Sequence, residues 1–286
     1  MAKTIGNPLS WGAQLLGHAG QDIGAVTREL GGEGAAPPAV RRIGVADLRA
    51  ALRLGLADFT ALRSDVLIAA LLYPVIGACL IWAAFHRGLL TLAFPLLSGF
   101  ALVGPAAAIG LYEMSRRREA GQSAGWADAF AVLRSPRFGA ILVLALAHFA
   151  VFILWIVTAH GIFVITMGPD LPASALAFLG DTLTTRAGWA MMALGIPAGF
   201  VFAAVVLAAS VVSFPLLIDR AVGLPVAVVT SFRVARENPG TVALWGLIVV
   251  GLLAAGSAVF LLGLAVTMPI LGHATWHLYR RAVVPV

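Results

Sequence analysis

Charge is what this sequence has least of. Only 11 % of its 286 residues are Asp, Glu, Lys or Arg, against about 25 % in ordinary soluble domains. That leaves too few polar side chains to coat a folded globule in water, so a soluble fold is excluded. Cysteine is nearly absent. Cys79 stands alone in an apolar run, so no internal disulfide can form and the redox compartment cannot be read from thiols. The signatures of common catalytic sites are missing as well: there is no Walker loop, G-x-S-x-G elbow, H-E-x-x-H or paired-carboxylate constellation. A non-enzymatic protein is therefore the expectation.

What is present is apolar. Hydrophobic residues make up 60 % of the chain, and the mean hydropathy is +0.97. This is the composition of an all-α, polytopic membrane protein. A net charge of +6 would suggest nucleic acid in a soluble domain; here it is explained by membrane topology, and no nucleic-acid partner is expected. Residues 1–42 mix Gly, Pro, Gln and charges, with no apolar stretch behind Lys3, so a cleavable signal peptide is not expected. The Gly31–Gly34 and Pro37-Pro38 region reads as a flexible cytoplasmic tail. Residues 43–286 then form the membrane domain.

A helix needs about 20 apolar residues to cross roughly 30 Å of hydrocarbon. Six spans satisfy this, at about 66–85, 89–112, 138–164, 190–218, 240–260 and 262–279. The last two come from one uncharged run, residues 240–276, split near Leu261–Gly263 by a tight turn. With both termini cytoplasmic, every basic residue except Arg87 and Arg186 falls on the cytoplasmic side, as the positive-inside rule requires. The expected location is a bacterial inner membrane, with the Arg-rich face on anionic lipid.

A unit recurs three times. Val45, Leu48, Leu52, Leu56, Phe59 and Leu62 follow helical spacing, with Asp47, Arg49, Arg53 and Asp58 interspersed, and lead to Arg63-Ser64-Asp65. Trp126, Phe130 and Leu133 repeat this before Arg134-Ser135-Pro136, and Val228, Phe232 and Ala235 do so before Glu237-Asn238-Pro239. Each copy reads as an interfacial amphipathic helix followed by a transmembrane hairpin. The Ser/Asn and Pro/Asp pairs predict N-caps and N1 prolines. Even-numbered spans carry Pro95, Pro105, Pro197, Pro215 and Pro269, which predict kinks.

Three motifs, GPAAAIGLYEMSRRREAG at 104–121, SFPLLIDR at 213–220 and GHATWHLYR at 272–280, stand in order along the chain. With Asn238-Pro239 and Trp245-Gly246, they resemble a bacterial integral-membrane family catalogued as a domain of unknown function, over about residues 45–284. The resemblance implies a six-span inner-membrane protein without an established activity. Some members of that family are labelled as cytochrome c oxidase subunits. A haem–copper catalytic subunit needs a full set of histidines around haem and copper, whereas this chain's six include His18 in the tail and His86 at an outer loop.

Ionisable groups inside a bilayer are the natural functional candidates. His148, His273 and His277 are the candidate cofactor ligands. His148 and His273 lie about 15 and 10 Å from the inner ends of their helices at 1.5 Å per residue, so one haem between them is a reading to test. His273 and His277 also share one helical face, although a metal site needs further ligands. The alternative is that His273 hydrogen-bonds a neighbouring helix while His277, Tyr279, Arg280 and Arg281 anchor the interface. At the inner face, Glu113, Arg116, Asp219, Arg220 and Arg280 form a candidate polar cluster. Glu113 pairs with Arg116 or Arg117 at i,i+3/i+4, and Asp219 takes a partner from another repeat. The functional expectation is an accessory or packing protein for other membrane components, with no bound cofactor. The rivals are a small-solute transporter or channel and a single-haem electron carrier.

Overall fold

The computed structural model describes Gly31 and residues 37–62, 71–86 and 89–285. The expected start of the first span, the Arg63-Ser64-Asp65 helix start and nearly all of the expected tail lie outside them. Among the described residues there are twelve α-helices and no β-strand. They are α1 (Val45–Ala61), α2 (Leu72–His86), α3 (Ala93–Ala107), α4 (Ile109–Glu119), α5 (Trp126–Ala129), α6 (Phe138–Met167), α7 (Ala175–Thr184), α8 (Arg186–Ser210), α9 (Ser213–Asp219), α10 (Leu224–Glu237), α11 (Pro239–Ala258) and α12 (Leu264–Ala282).

The uncharged 30 residues of α6 form one unbroken helix, about 45 Å long at 1.5 Å per residue. It ends where Gly168, its N–H still bonded to the Val164 carbonyl, adopts φ +92°, a conformation that glycine reaches without steric cost. Three passages are long and apolar enough to cross a bilayer: α6, the 34-residue run Arg186–Asp219 built from α8 and α9, and α11. Leu90–Gly99 and Ala101–Ala107, bent by 40°, make a fourth if counted together. The count among the described residues is therefore three or four, against the six expected. Helix α2 is short, and what precedes it is outside the described residues.

The expected sixth span differs for a physical reason. Helix α12 carries His273, Thr275, His277, Arg280 and Arg281, which dilute its hydropathy, and its environment is protein. Leu264, Met268, Leu271, His273, Ala274, Trp276, Leu278 and Tyr279 are all buried. Helices α1, α2, α4, α9 and α11 pack around it. The break between α11 and α12 falls at residues 259–263, where Phe260 and Leu261 take positive φ.

Helix α1 runs antiparallel along α12, with Asp47 near Arg281 and Asp58 beside His277. Its buried face is Leu48, Ala51, Gly55 and Asp58, whereas Val45 and Leu56 of the expected apolar stripe are exposed. Leu48 and Leu62 of that stripe are buried and Leu52 and Phe59 pack against the core, so the stripe is divided between core and surface. Val228 and Ala235 of the third copy likewise pack against the core. In α10, Ala227, Thr230, Ser231 and Val234 are buried and Phe232 is exposed; Phe130 and Leu133 are exposed beside buried Val132. Outside water, large apolar side chains gain little by turning inward, while small residues let helix backbones approach. Between α6 and α8 the chain forms α7, which buries none of its residues.

The expected caps also resolve differently. Helix α11 does begin with Pro239 after Asn238, but the Asn238 side chain makes no cap bond. Its Oδ1 accepts from the Ile43 N–H at 2.8 Å, and its Nδ2 donates to the Arg41 and Val234 carbonyls, each at 3.1 Å. Asn238 thus ties the segment entering α1 to the α10–α11 corner. Close by, Val40 and Val283 form an antiparallel bridge. In the second copy, Arg137 precedes α6, and Ser135 instead accepts from the Arg137 N–H at 3.2 Å. Asn238→Ala should leave the buried Ile43 N–H unpaired and free the part-buried Arg41 carbonyl, a loss of about 1–3 kcal/mol. Limited proteolysis in detergent reads this as faster cleavage between residues 37 and 45; unchanged cleavage would show that the tie is dispensable.

Candidate functional site: a buried polar network at the arginine-rich end

Where α1, α4 and α12 meet, the small residues bring backbones together and leave room for polar side chains. Asp58 is the centre. Only 4 % of it is exposed, yet its carboxylate accepts from Ser115 Oγ at 2.6 Å, from His277 Nε2 at 2.8 Å and from the Arg118 guanidinium. A buried carboxylate persists only when neighbours satisfy its lone pairs. Burial pushes the Asp58 carboxyl up, but the His277 and Ser115 hydrogen bonds and the adjacent imidazoles outweigh it, and the carboxyl is held below its ordinary value.

Ser115 continues the chain of bonds. Its hydroxyl donates to Asp58, so its lone pair receives the Nδ1–H of fully buried His273 at 2.8 Å. That leaves His273 Nε2 buried without a partner. The order Asp–Ser–His superficially suggests nucleophilic catalysis, but the serine is in the middle. Its proton is held by the carboxylate, and the hydroxyl is fully buried, so it is not presented to a substrate. The arrangement supports packing.

A second group of charges lies next to this network. Glu113 binds Arg116 bidentately at 2.7 and 2.8 Å and Arg117 at 2.9 Å, and Arg117 also reaches Asp128 at 2.7 Å. Asp219 accepts from the Tyr279 hydroxyl at 2.5 Å and from Arg280 at 3.4 Å. Arg220 lies 3.6 Å from Asp219 as well. Helix α9 ends at Asp219, so Arg220 is extended and its side chain folds back, which a continued helix would prevent. Arg220 also donates to the Val284 carbonyl at 2.7 Å. Glu119 joins α4 to α12 through Trp276 Nε1 at 2.8 Å and Arg280 at 2.9 Å.

The structure thus gathers His273 and His277 around Asp58, and sets Glu113 with Arg116 and Asp219 with Arg220 and Arg280. His148 is held elsewhere. It lies on α6, donates through Nδ1 to the Leu144 carbonyl at 2.8 Å and packs edge-on against Phe214 at 5.1 Å. Asp58, Ser115, Arg118, Glu119 and Trp276 are the members that sequence reasoning missed. For Asp58 a signal existed: it continues the 48, 51, 55 spacing of a small-residue face that the larger apolar stripe obscures.

Most of these anchoring residues, from Glu113 through Asp219, fall within one recognisable stretch. Residues 93–219 match the model of a family described as a predicted integral membrane protein (DUF2189). The chain is an integral membrane protein. The matched stretch covers α3 to α9, including the whole 104–121 motif and the 213–220 motif up to Asp219. It leaves α1 and α12, which carry Asp58, His273 and His277, outside. No curated protein and no solved structure matches the chain.

Proposed function

We propose that this is a non-enzymatic packing or accessory protein of a bacterial inner membrane, with both termini and the arginine-rich end on the cytoplasmic side. The observation that carries the reading is the outward stripe of its three short helical units. Val45, Leu56, Phe130, Leu133, Val229 and Phe232 are exposed, and among the described residues Arg49, Arg53, Arg134, Arg233 and Arg236 enter no ion pair. Apolar side chains beside unpaired arginines suit the headgroup layer of an anionic leaflet. Arg116, Arg117 and Arg118, by contrast, are engaged with Glu113, Asp128 and Asp58. A cavity between α6, α8 and α10 is lined by aliphatic side chains and His148, a lining that offers a polar solute little and so supports packing. Loss of the five charges should reduce the anionic lipid that co-purifies in mild detergent. At about 1 kcal/mol per arginine, even partial engagement predicts a severalfold drop in phosphatidylglycerol relative to phosphatidylethanolamine. A quintuple alanine variant that keeps the same lipid ratio would contradict the reading, as would flux of a polar solute through vesicles containing the native chain.

A further inference from the structure

Helix α7 is partnered on one side. Ser174 caps it, accepting from the Ala177 N–H at 3.1 Å, and half-buried Ala175, Phe178 and Thr182 form the side on the bundle. Phe178 packs edge-on against Phe163 of α6 at 6.0 Å. The Asp181 and Thr182 carbonyls lie so close to Gly188 of α8 that a Cβ there would meet them at 2.4 Å. Leu176, Leu179 and Leu183 stand about a quarter turn away at roughly 3.6 residues per turn, and are 79, 54 and 52 % exposed. Exposed Ala177, Asp181 and Thr184 take the side that remains. The leucines therefore face neither the bundle nor the helix's polar side.

The depth of α7 says what covers them. Arg134 and Arg137 stand just before α6, which begins at Phe138. His160 is exposed on the same helix, about 33 Å further along at 1.5 Å per residue, and an ionisable side chain facing lipid belongs outside the hydrocarbon. Because that layer is roughly 30 Å thick, it ends close to His160. Phe163 is about 5 Å beyond, so α7, which packs on it, lies at headgroup level. Trp189, 61 % exposed in the first turn of α8, suits the same layer. The leucine face also continues the lipid-facing surface of the two spans, where Val157, Ile196 and Phe200 are exposed. Residues 168–185 contain Asp170 and Asp181 but no Lys or Arg, so nothing here attracts anionic headgroups.

We propose that α7 lies flat in the leaflet opposite the arginine-rich end and inserts Leu176, Leu179 and Leu183 among the acyl chains, anchored by apolar area and indifferent to headgroup charge. An interfacial helix rests in this way, its apolar face sunk to the headgroup–acyl boundary. The proposal requires that the chain spans a bilayer and does not depend on the accessory role.

The test uses the full-length protein with Cys79→Ala, reconstituted in phosphatidylcholine vesicles with and without added phosphatidylglycerol. Single cysteines replace Leu176, Leu179 and Leu183 on one face and Ala177, Asp181 and Thr184 on the other, with Leu154→Cys on the lipid-facing side of α6 as reference. All seven positions are exposed, so a nitroxide label leaves the contacts of Ala175, Phe178 and Thr182 in place. Collisions of the label with oxygen, which concentrates in acyl chains, are compared with those of a water-soluble nickel chelate. The oxygen-to-nickel ratio at positions 176, 179 and 183 should exceed that at 177, 181 and 184 severalfold, approach that at 154, and be the same in both lipid mixtures. Ratios as low at the leucine sites as at 181 would put that face in water. Few collisions with either reagent would mean that another protein or a second copy covers it. Either result overturns the proposal, as does a ratio that rises only when phosphatidylglycerol is present.

Discussion

Asp58→Ala is expected to be the most damaging polar substitution in the chain. The side chain accepts from Ser115, His277 and Arg118, and its removal leaves a buried hydroxyl, one imidazole and one guanidinium without their common acceptor. Removing one partner of a buried charged pair costs about 3–5 kcal/mol. Arg118 is 40 % exposed and can rehydrate, which argues for the lower end, about 3 kcal/mol. The thermal midpoint in detergent should fall well below that of the native protein, and Asp58→Asn should lie between the two. The pH dependence gives a sharper signature. A carboxyl held below its ordinary value stabilises the fold above about pH 4 and loses that contribution as pH falls through the lowered value. The native and Asp58→Ala curves should therefore be far apart at neutral pH and converge under acid. Parallel curves across that range would show that Asp58 contributes through packing alone.

Gly55→Leu tests the same helix pair through shape. A Cβ at position 55 would sit 2.6 Å from the Ala274 backbone nitrogen and 2.7 Å from its Cβ. Neither neighbour is the end of a flexible side chain, so α1 must move away from α12. Overpacking a tight contact costs about 1–3 kcal/mol, occasionally more, and displacing α1 would also lengthen the bonds to Asp58. The combined effect should exceed that of Asp58→Ala and appear as loss of the monodisperse peak on size-exclusion chromatography after mild heating. Gly161→Leu on α6 is the control: nothing lies within 4 Å of the Cβ it would add. Equal behaviour of the two variants would mean that α1 does not pack at this distance.

These expectations mark where the sequence was legible. Long uncharged runs announce helices that cross the bilayer, because composition alone separates lipid from water as solvent; α6 and α11 follow directly. The pairing of Glu113 with Arg116 was readable because i,i+3 spacing is local. The orientation of the short helices was not. Periodicity finds two stripes on α1, an apolar one in which Leu48 is buried but Val45 and Leu56 are exposed, and one with Ala51, Gly55 and Asp58, and the usual rule that large apolar residues turn inward presumes water outside. Next to lipid that preference lapses, and closeness of approach decides instead. Residues 262–279 read as a span because formal charges are few there; α12 falls outside the three or four passages because its histidines and arginines lower its hydropathy, and most of its side chains are buried against protein. The partners of Asp58 could not be read at all, since Ser115 and His277 are 57 and 219 residues away and only the tertiary fold brings them together.

Helix α12 is the protein-enclosed axis of the bundle, and α1 lies antiparallel along it. The most direct test of this arrangement is cross-linking in native membranes, in a background where Cys79→Ala removes the single thiol. Asp47 and Arg281, ion-paired at 3.3 Å, are replaced by cysteine and treated with a short bifunctional thiol reagent. A second pair joins Asp47→Cys to Val259→Cys, just before the far end of α12 and exposed. Rapid bridging of positions 47 and 281, with none between 47 and 259, is the predicted result. Bridging of 47 to 259, or failure of 47 and 281 to react together while each is modified singly, would contradict it.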